Sequence, residues 1–269
     1  MDQDQRRAFL IEALLAERAD GGRTSVPPDA EGQRSLLRAL MNVRAPTPVA
    51  DDVLSVQDAY LAGRLAERGG AVDAAALPVV DPLDPTLSRV ALWRGDITRL
   101  AADAIVNAAN SQMLGCFVPG HHCVDNAIHT YAGMQLRIDC ARLMAEQGHP
   151  EPTGQIKVTA AHNLPSRLVL HTVGPVVAGA SPSEKDRALL ADCYEACLRA
   201  ATERGLSTVG LCCVSTGVFG FPQREAAEIA LRAVLGHLRH VDGQLKVVLD
   251  VFLDSDERIY RDLLARVPR

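Results

Sequence analysis

The stretch "LSTVGLCCVSTGVFGFPQREAAEIAL", residues 206–231, decides the fold because it contains a strand, a loop and a helix in direct succession. Its start is an apolar run typical of a buried strand. Gly217 and Gly220 allow the chain to turn sharply, and Pro222 suits the first turn of the helix that follows. A strand that leads through a short loop into a helix is the repeating unit of α/β proteins.

The same alternation extends from Ser88 to the end of the chain. Further strand patterns are "RVALWRGD", "DAIVNAAN", "QIKVTAA", "RLVLHTVGP" and "LKVVLDVFLD". One helical stretch is predicted from Val124 to about Gln147, and another begins at a capping box formed by Ser183 and Asp186. The pattern predicts an α/β sandwich with a largely parallel sheet. Ligands bind outside the carboxyl ends of the strands in such sheets, so functional residues should follow strands.

The first 85 residues have a different character. Apolar residues recur at helical spacing in "QRRAFLIEALLAE", "EGQRSLLRALMNV" and "VQDAYLAGRLAERGG", and proline-rich pieces separate these segments. Residues 77–88 read as a linker. We therefore predict a helical N-terminal extension at 1–85 and an α/β domain at 86–269.

Composition narrows the class of protein. The chain has 269 residues and a net charge of −5, which argues against a protein that binds the nucleic-acid backbone. It contains no apolar run of the roughly 18 residues that a membrane helix needs, and its charged start lacks the features of a signal peptide. The odd number of cysteines, seven, does not suggest a disulfide framework. These features predict a reduced, cytoplasmic protein without nucleic-acid or membrane partners.

Two loops could contact a nucleotide. The loop "VSTGVFGFP", residues 214–222, follows a strand and precedes a helix, so its amide groups and the helix N-terminus could bind a diphosphate. A plain strand-to-helix connection is the alternative. Asp96, in "WRGDITRL", could accept a hydrogen bond from an exocyclic amine such as that of adenine. Its alternative role is a helix N-cap.

Asn107 and Asn110 lie in "IVNAANSQMLG", where a strand is predicted to end and a loop to begin. An asparagine side chain offers both donor and acceptor groups, as recognition of sugar hydroxyls requires. Asparagine is also a common turn residue, so a purely local role stays open.

The stretch "GCFVPGHHCVDNAIH", residues 115–129, contains a possible metal site. Cys116, His121 and Cys123 could bind zinc and leave a fourth position open, as in catalytic zinc sites. His122 could instead close the site as a fourth ligand. A disulfide between the two cysteines is a further alternative, which fits poorly with a cytoplasmic chain.

Two more residues follow in that stretch. Asp125 stands at the start of a predicted helix, where it could be an N-cap or a general base. His129, one turn later, is interpreted as a packed or supporting histidine and not as a metal ligand.

Taken together and in order, these stretches resemble the macrodomain, an α/β/α module that binds ADP-ribose. The resemblance covers about residues 88–269 and rests on "ALWRGDIT", "ADAIVNAANSQMLG", "VDNAIH", "CCVSTGVFGFP" and "LDVFLDSDERIY". It implies a three-layer α/β/α sandwich with a mixed, largely parallel sheet. Where common hydrolytic macrodomains have a run of glycines, this chain has "GCFVPGHHC". That departure resembles the zinc-containing macrodomains, which also carry a helical N-terminal extension.

The resemblance implies a role for each matching residue. Asp96 would bind the adenine amine near the Ile97 amide, Phe252 would stack on adenine, and Asn110 would contact the distal ribose, with Asn107 supporting that loop. Cys116, His121 and Cys123 would hold Zn²⁺, and Asp125 and Asn110 would be the catalytic residues. The residues that would surround the diphosphate and ribose are Ser215, Thr216, Gly217, Val218, Phe219 and Gly220.

The implied activity is zinc-dependent removal of mono-ADP-ribose from proteins, with the ester linkage at Asp or Glu. The zinc would polarise the distal ribose or lower the pKa of a water molecule, and Asp125 would take the proton of that water. The implied partner is an ADP-ribosylated protein, such as a lipoyl-carrier protein modified by a sirtuin-type transferase. The alternatives are an ADP-ribose reader without catalysis, an O-acetyl-ADP-ribose deacetylase, and an interaction protein that acts through the extension.

Overall fold

The computed structural model describes residues 1–18, 24–179, 181–241 and 243–268. From Val90 onward the chain contains both strands and helices, and they alternate one by one only from the strand Leu168–Val173 to the end of the chain. The elements are α1 Gln3–Ala16, α2 Ala30–Val43, α3 Asp51–Glu67, β1 Val72–Asp73, β2 Val90–Arg94, β3 Leu100–Ala101, β4 Ala104–Ala109, α4 Val124–Ala132, α5 Met134–Gln147, β5 Ile156–Ala160, β6 Leu168–Val173, α6 Glu184–Glu203, β7 Thr208–Leu211, α7 Gln223–His240, β8 Lys246–Val251 and α8 Asp254–Ala265.

The main sheet has six strands in the order β2-β8-β7-β4-β6-β5. Every neighbouring pair is parallel except β5 and β6, which are antiparallel. The predicted α/β fold with a mixed, largely parallel sheet is therefore confirmed. The five parallel strands end at one edge of the sheet, and the loops that follow them meet there.

The core lies between the sheet and its helices. The central strands are apolar on both faces, as expected for strands that helices cover, and Val106, Leu170 and Val248 have no exposed surface. The capping box of Ser183 and Asp186 starts α6 as predicted. For the helix in the stretch 206–231, Pro222 is the N-cap and does not belong to the first turn, because α7 begins at Gln223.

The helical stretch predicted from Val124 to Gln147 is two helices. Gly133 interrupts it with φ +94° and ψ 178°, a backbone conformation open to glycine only. The N–H of Met134, freed by this break, donates to Oε1 of the fully buried Gln57 at 2.8 Å. Gln57 belongs to α3, so the helix breaks where the N-terminal helices dock.

The N-terminal helices α1, α2 and α3 form a small apolar cluster of their own, which includes Leu10, Leu37 and Leu61. Met134 from α5 completes this cluster. After α3 the chain adds β1, which pairs in parallel with β3, so the connection packs on the α/β part before the first long strand begins. The division at residues 85 and 86 stays a prediction.

The helices of the described ranges differ from membrane-spanning segments. None of the helices there combines the length and the apolar character needed to cross a bilayer.

The break at Gly133 generates a stability prediction. A Cβ at Gly133 would lie 2.6 Å from Nε2 of Gln57, and the backbone conformation excludes other residues, so Gly133→Ala should lower the free energy of unfolding by about 1–3 kcal/mol. Gly236→Ala is the control, because Gly236 lies within α7 and its Cβ would meet no atom within 4 Å. That change should be neutral or stabilising by up to about 1 kcal/mol. Urea unfolding measures both, and equal stability of the two variants would contradict the prediction.

Candidate active site

The side chains of Cys116, His121 and Cys123 converge in the loop between β4 and α4. Sγ of Cys116 lies 3.5 Å from Nδ1 of His121, and the three possible ligand atoms all lie within 4.8 Å of one another. Two sulfurs and one imidazole nitrogen are a donor set that zinc prefers. The trio therefore fits a zinc ion, and zinc binding itself stays a prediction.

The sequence left two alternatives for this loop, His122 as a fourth ligand and a disulfide between Cys116 and Cys123. His122 is exposed, and within the described part of the chain it does not join the group of possible ligands. Cys116 and Cys123 are both free thiols, so the disulfide alternative is not adopted. Burial, together with the nearby Cys116 and Asp125, raises the pKa of the Cys123 thiol to about 12. The hydrogen bond from the N–H of Asn126 acts in the opposite direction and lowers this pKa. A metal ion would displace that proton on binding.

Asp125 is buried and held by the two predicted asparagines. Nδ2 of Asn107 donates to Oδ1 of Asp125 at 2.9 Å, and Nδ2 of Asn110 donates to Oδ2 at 3.4 Å. The N-cap of α4 is Cys123, whose sulfur accepts from the N–H of Asn126, so the N-cap alternative for Asp125 is wrong. Burial raises the pKa of Asp125 to about 6, although the Asn107 hydrogen bond and the Arg137 charge lower it. A carboxyl group with such a pKa suits a general base near neutral pH.

A buried histidine that the sequence analysis missed supports Asn107. Asn107 lies inside β4, not at its end, and its register partner on β6 is His171. Its Nδ2 donates to Nδ1 of His171 at 3.1 Å, which leaves Nε2–H of the ring to donate to Oγ1 of Thr159 at 2.9 Å. Burial lowers the pKa of His171 to about 3, so the ring is neutral. The only sequence signal was one histidine within the apolar strand "RLVLHTVGP".

His129 is a packed histidine, in line with its interpretation from sequence. Its Nε2 lies 3.6 Å from Oδ1 of Asp125, and neither ring nitrogen has a hydrogen-bond partner among the described residues. Burial, His171 and Arg137 hold the pKa of His129 well below its usual range. The ring is therefore neutral and fills space behind Asp125.

The loop after β7 forms a turn that could surround an anion. Ser215 and Gly220 have φ +65° and +72°, and the N–H of Gly220 donates to the carbonyl of Gly217 at 3.0 Å. Ser215 is buried, whereas Val218 at the tip is 79% exposed. Within the described ranges, the N–H groups of residues 216–219 donate to no other protein group. They are therefore available to an anion at the start of α7.

The last predicted contacts lie at the ends of β2 and β8. Asp96 caps a short turn through the N–H of Thr98, as its N-cap alternative required, and Ile97 in that turn is buried. Phe252, which follows β8, is 72% exposed and so available for stacking. The sequence analysis missed Arg68, whose Nη1 donates to Oδ2 of Asp96 at 2.8 Å. No local pattern indicates this pairing, because the two residues are far apart in the chain.

These geometries agree with comparisons to known proteins. The family model "Macro domain" matches residues 106–230. A "Protein-ADP-ribose hydrolase" of Treponema medium is 46% identical over 98% of this chain and 100% of its own length. A Staphylococcus aureus protein of the same name is 43% identical, over 97% of this chain and 96% of its own.

A solved structure, the Trypanosoma brucei macrodomain in complex with ADP-ribose, superposes with a TM-score of 0.66 at 32% identity. It covers 84% of this chain and 94% of its own. This chain belongs to the Macro domain family. The fold class predicted from sequence is thereby confirmed, and the roles of the individual site residues stay predictions.

The loop after β7 generates a binding prediction. A Cβ at Gly217 would meet no atom within 4 Å, so Gly217→Val should leave the melting temperature nearly unchanged. The side chain would project into the space that a diphosphate needs, so ADP-ribose affinity should fall at least about tenfold, or about 1.4 kcal/mol. Calorimetric titration with ADP-ribose measures this effect. The control is Gly236→Val, because a Cβ at Gly236 also meets no atom within 4 Å but lies within α7 and not in the loop. Unchanged affinity of Gly217→Val would place the diphosphate elsewhere.

Proposed function

We propose that this chain is a hydrolase that removes single ADP-ribose units from proteins, with the ester linkage at Asp or Glu. The observation that carries the proposal is the buried Asp125 carboxyl, held by Asn107 and Asn110 beside a loop with a zinc-fitting donor set. Nearly full-length relatives named protein-ADP-ribose hydrolase support the same activity. The protein substrate we propose is a lipoyl-carrier protein modified by a sirtuin-type transferase.

The end of the site that would bind adenine and the diphosphate would position the substrate. The free amides after β7 would bind the diphosphate, while Asp96 would accept from the adenine amine and Phe252 would stack on the ring. Arg68 and Thr98 hold the Asp96 carboxylate by hydrogen bonds, which fixes its direction. Binding at this end contributes to catalysis by orienting the distal ribose, where the bond to the protein is attached.

Asp125 would act as the general base at the distal ribose. Asn107 and Asn110 each occupy one carboxylate oxygen with a single hydrogen bond, and an oxygen accepts more than one. The carboxylate can therefore take a proton from water while both amides keep it in place. Asn110 also donates to the carbonyl of Gly115 at 3.1 Å, so its amide links Asp125 to the residue that precedes Cys116.

Cys116, His121 and Cys123 would hold the metal ion beside this base. Zinc bound there would supply a Lewis acid that polarises an oxygen of the substrate or of water. The chain's own contribution is to keep the three side chains close together and partly shielded from solvent.

The first test is release of ADP-ribose from a protein modified at Asp or Glu. The wild-type protein should contain about one zinc per chain, and both a chelator and Cys116→Ala should remove the metal and the activity. Cys193→Ala, a buried cysteine of α6, is the matched control and should retain both. Full activity without metal would refute zinc dependence and leave the hydrolase proposal intact. Using O-acetyl-ADP-ribose as a second substrate tests the deacetylase alternative.

The second test separates a hydrolase from a reader. Asp125→Asn keeps the size of the side chain but removes its basicity, so turnover should fall by about 10²–10⁴-fold. ADP-ribose affinity should change little, because the adenine and diphosphate contacts lie elsewhere in the site. The control is Asp139→Asn, which alters a partly buried carboxylate of α5 that pairs with His162 and should leave turnover unchanged. If the wild-type protein binds ADP-ribose yet releases none from any acceptor, the reader alternative is correct.

A further inference from the structure

The loop 116–123, which contains the three possible zinc ligands, is fastened to the rest of the protein by Asn126. This side chain is fully buried, and its Nδ2 donates to the carbonyl of Val118 at 3.1 Å. The backbone N–H of the same residue donates to Sγ of Cys123 at 3.4 Å. Asn126 thus contacts the loop in its middle and at its end. The side-chain amide of Asn126 therefore links the middle of the loop to α4.

The direction of that amide is set by a residue of the N-terminal extension. Arg38 on α2 donates from Nε and Nη2 to Oδ1 of Asn126, at 3.1 and 2.7 Å. Nη2 of Arg38 also donates to the carbonyl of His121 at 3.1 Å. A guanidinium group with a rigid fork of donors is suited to such simultaneous contacts. One side chain of the extension therefore holds both a ligand's backbone and the residue that supports the loop.

A second residue of the extension holds the loop one turn further along α2. Oδ1 of Asn42 accepts from the N–H of Gly120 at 3.0 Å, and its Nδ2 donates to Oγ1 of Thr130 at 3.0 Å. Asn42 is only 1% exposed, so leaving these groups unpaired would be costly. Gly120 has φ +65°, and its neighbour His121 supplies a possible ligand. Arg38 and Asn42 are four residues apart, which places them on one face of the helix.

We propose that Arg38 and Asn42 are positioning residues that form a loop clamp, holding 116–123 in the shape that zinc binding requires before the metal arrives. This inference rests on the proposed function, because it assigns the N-terminal extension a role in the same site. The clamp holds the backbone at two points close to the His121 side chain, the N–H of Gly120 and the carbonyl of His121 itself. A ligand that is already oriented loses less conformational freedom on binding, so the clamp raises metal affinity without touching the metal.

The first experiment measures zinc affinity of the full chain by competition with a chromophoric chelator. Arg38→Ala and Asn42→Ala should each lower the affinity for zinc at least about tenfold, as expected for residues that orient metal ligands. The control is Arg34→Ala, one turn earlier on α2 and outside the described contacts with the loop. Its affinity should equal that of the wild type. Arg38→Lys retains the charge but not the fork, so it should recover only part of the affinity lost in Arg38→Ala.

The second experiment needs no metal. Hydrogen–deuterium exchange of the metal-free protein should show loop 116–123 protected in the wild type and exchanging at least about tenfold faster in Arg38→Ala and Asn42→Ala. Peptides from β8 serve as an internal reference, since unchanged protection there shows that a variant is folded. Arg34→Ala should match the wild type throughout.

The two experiments separate the possible failures. Tight zinc binding with equal affinity and equal exchange in all variants would overturn the loop clamp and leave the proposed metal site intact. If the wild type binds no zinc but loop exchange accelerates in the variants, the metal part of the proposed function fails while the clamp's ordering of the loop stands. Faster exchange without weaker zinc binding would refute the clamp's role in metal affinity.

Discussion

The parallel pairing of β4 with its neighbours β6 and β7 is the constraint on which the site depends. Parallel strands end at one edge, so residues at or beyond the carboxyl ends of four strands meet although the sequence separates them widely. The same pairing places His171 of β6 beside Asn107 of β4 inside the sheet, where water cannot satisfy either group. The orientation of Asn107, and with it that of Asp125, is therefore decided by strand register.

Burial gives this site its chemical character. A carboxyl group in water has a pKa near 4, whereas that of Asp125 rises to about 6 because the protein surrounds it. The two histidines behind it are neutral for the same reason, so neither supplies a positive charge that would hold Asp125 ionised. The hydrogen bond from Asn107 and the charge of Arg137 favour the carboxylate form, and the amides of Asn107 and Asn110 fix its direction.

The N-terminal helices contact the site at both of its ends. Arg68, which follows α3, bonds to Asp96 at the proposed adenine end, while its guanidinium lies 3.5 Å from the centre of the Tyr131 ring. Arg38 and Asn42 of α2 contact the loop at the proposed ribose end. The simplest role for this extension is to pack on the α/β domain. Its packing also forms hydrogen bonds to residues of the candidate site. A helical segment is well suited to this, because rigid elements position side chains more accurately than loops do.

The sequence by itself indicated the α/β class, the order of the main helices and strands, and most of the residues that the structure brings together in the candidate site. These properties are local: apolar period, glycine and proline positions, and the short spacing of Cys116, His121 and Cys123. Tertiary structure alone decided the break at Gly133, the pairing of Asp96 with Arg68, and the contacts of His171 and α2. Each of these depends on groups that folding brings together from distant parts of the chain. The spacing of residues in the sequence does not indicate which distant residues will be neighbours in space. Local pattern thus proposed the reactive groups, and packing decided how each is oriented.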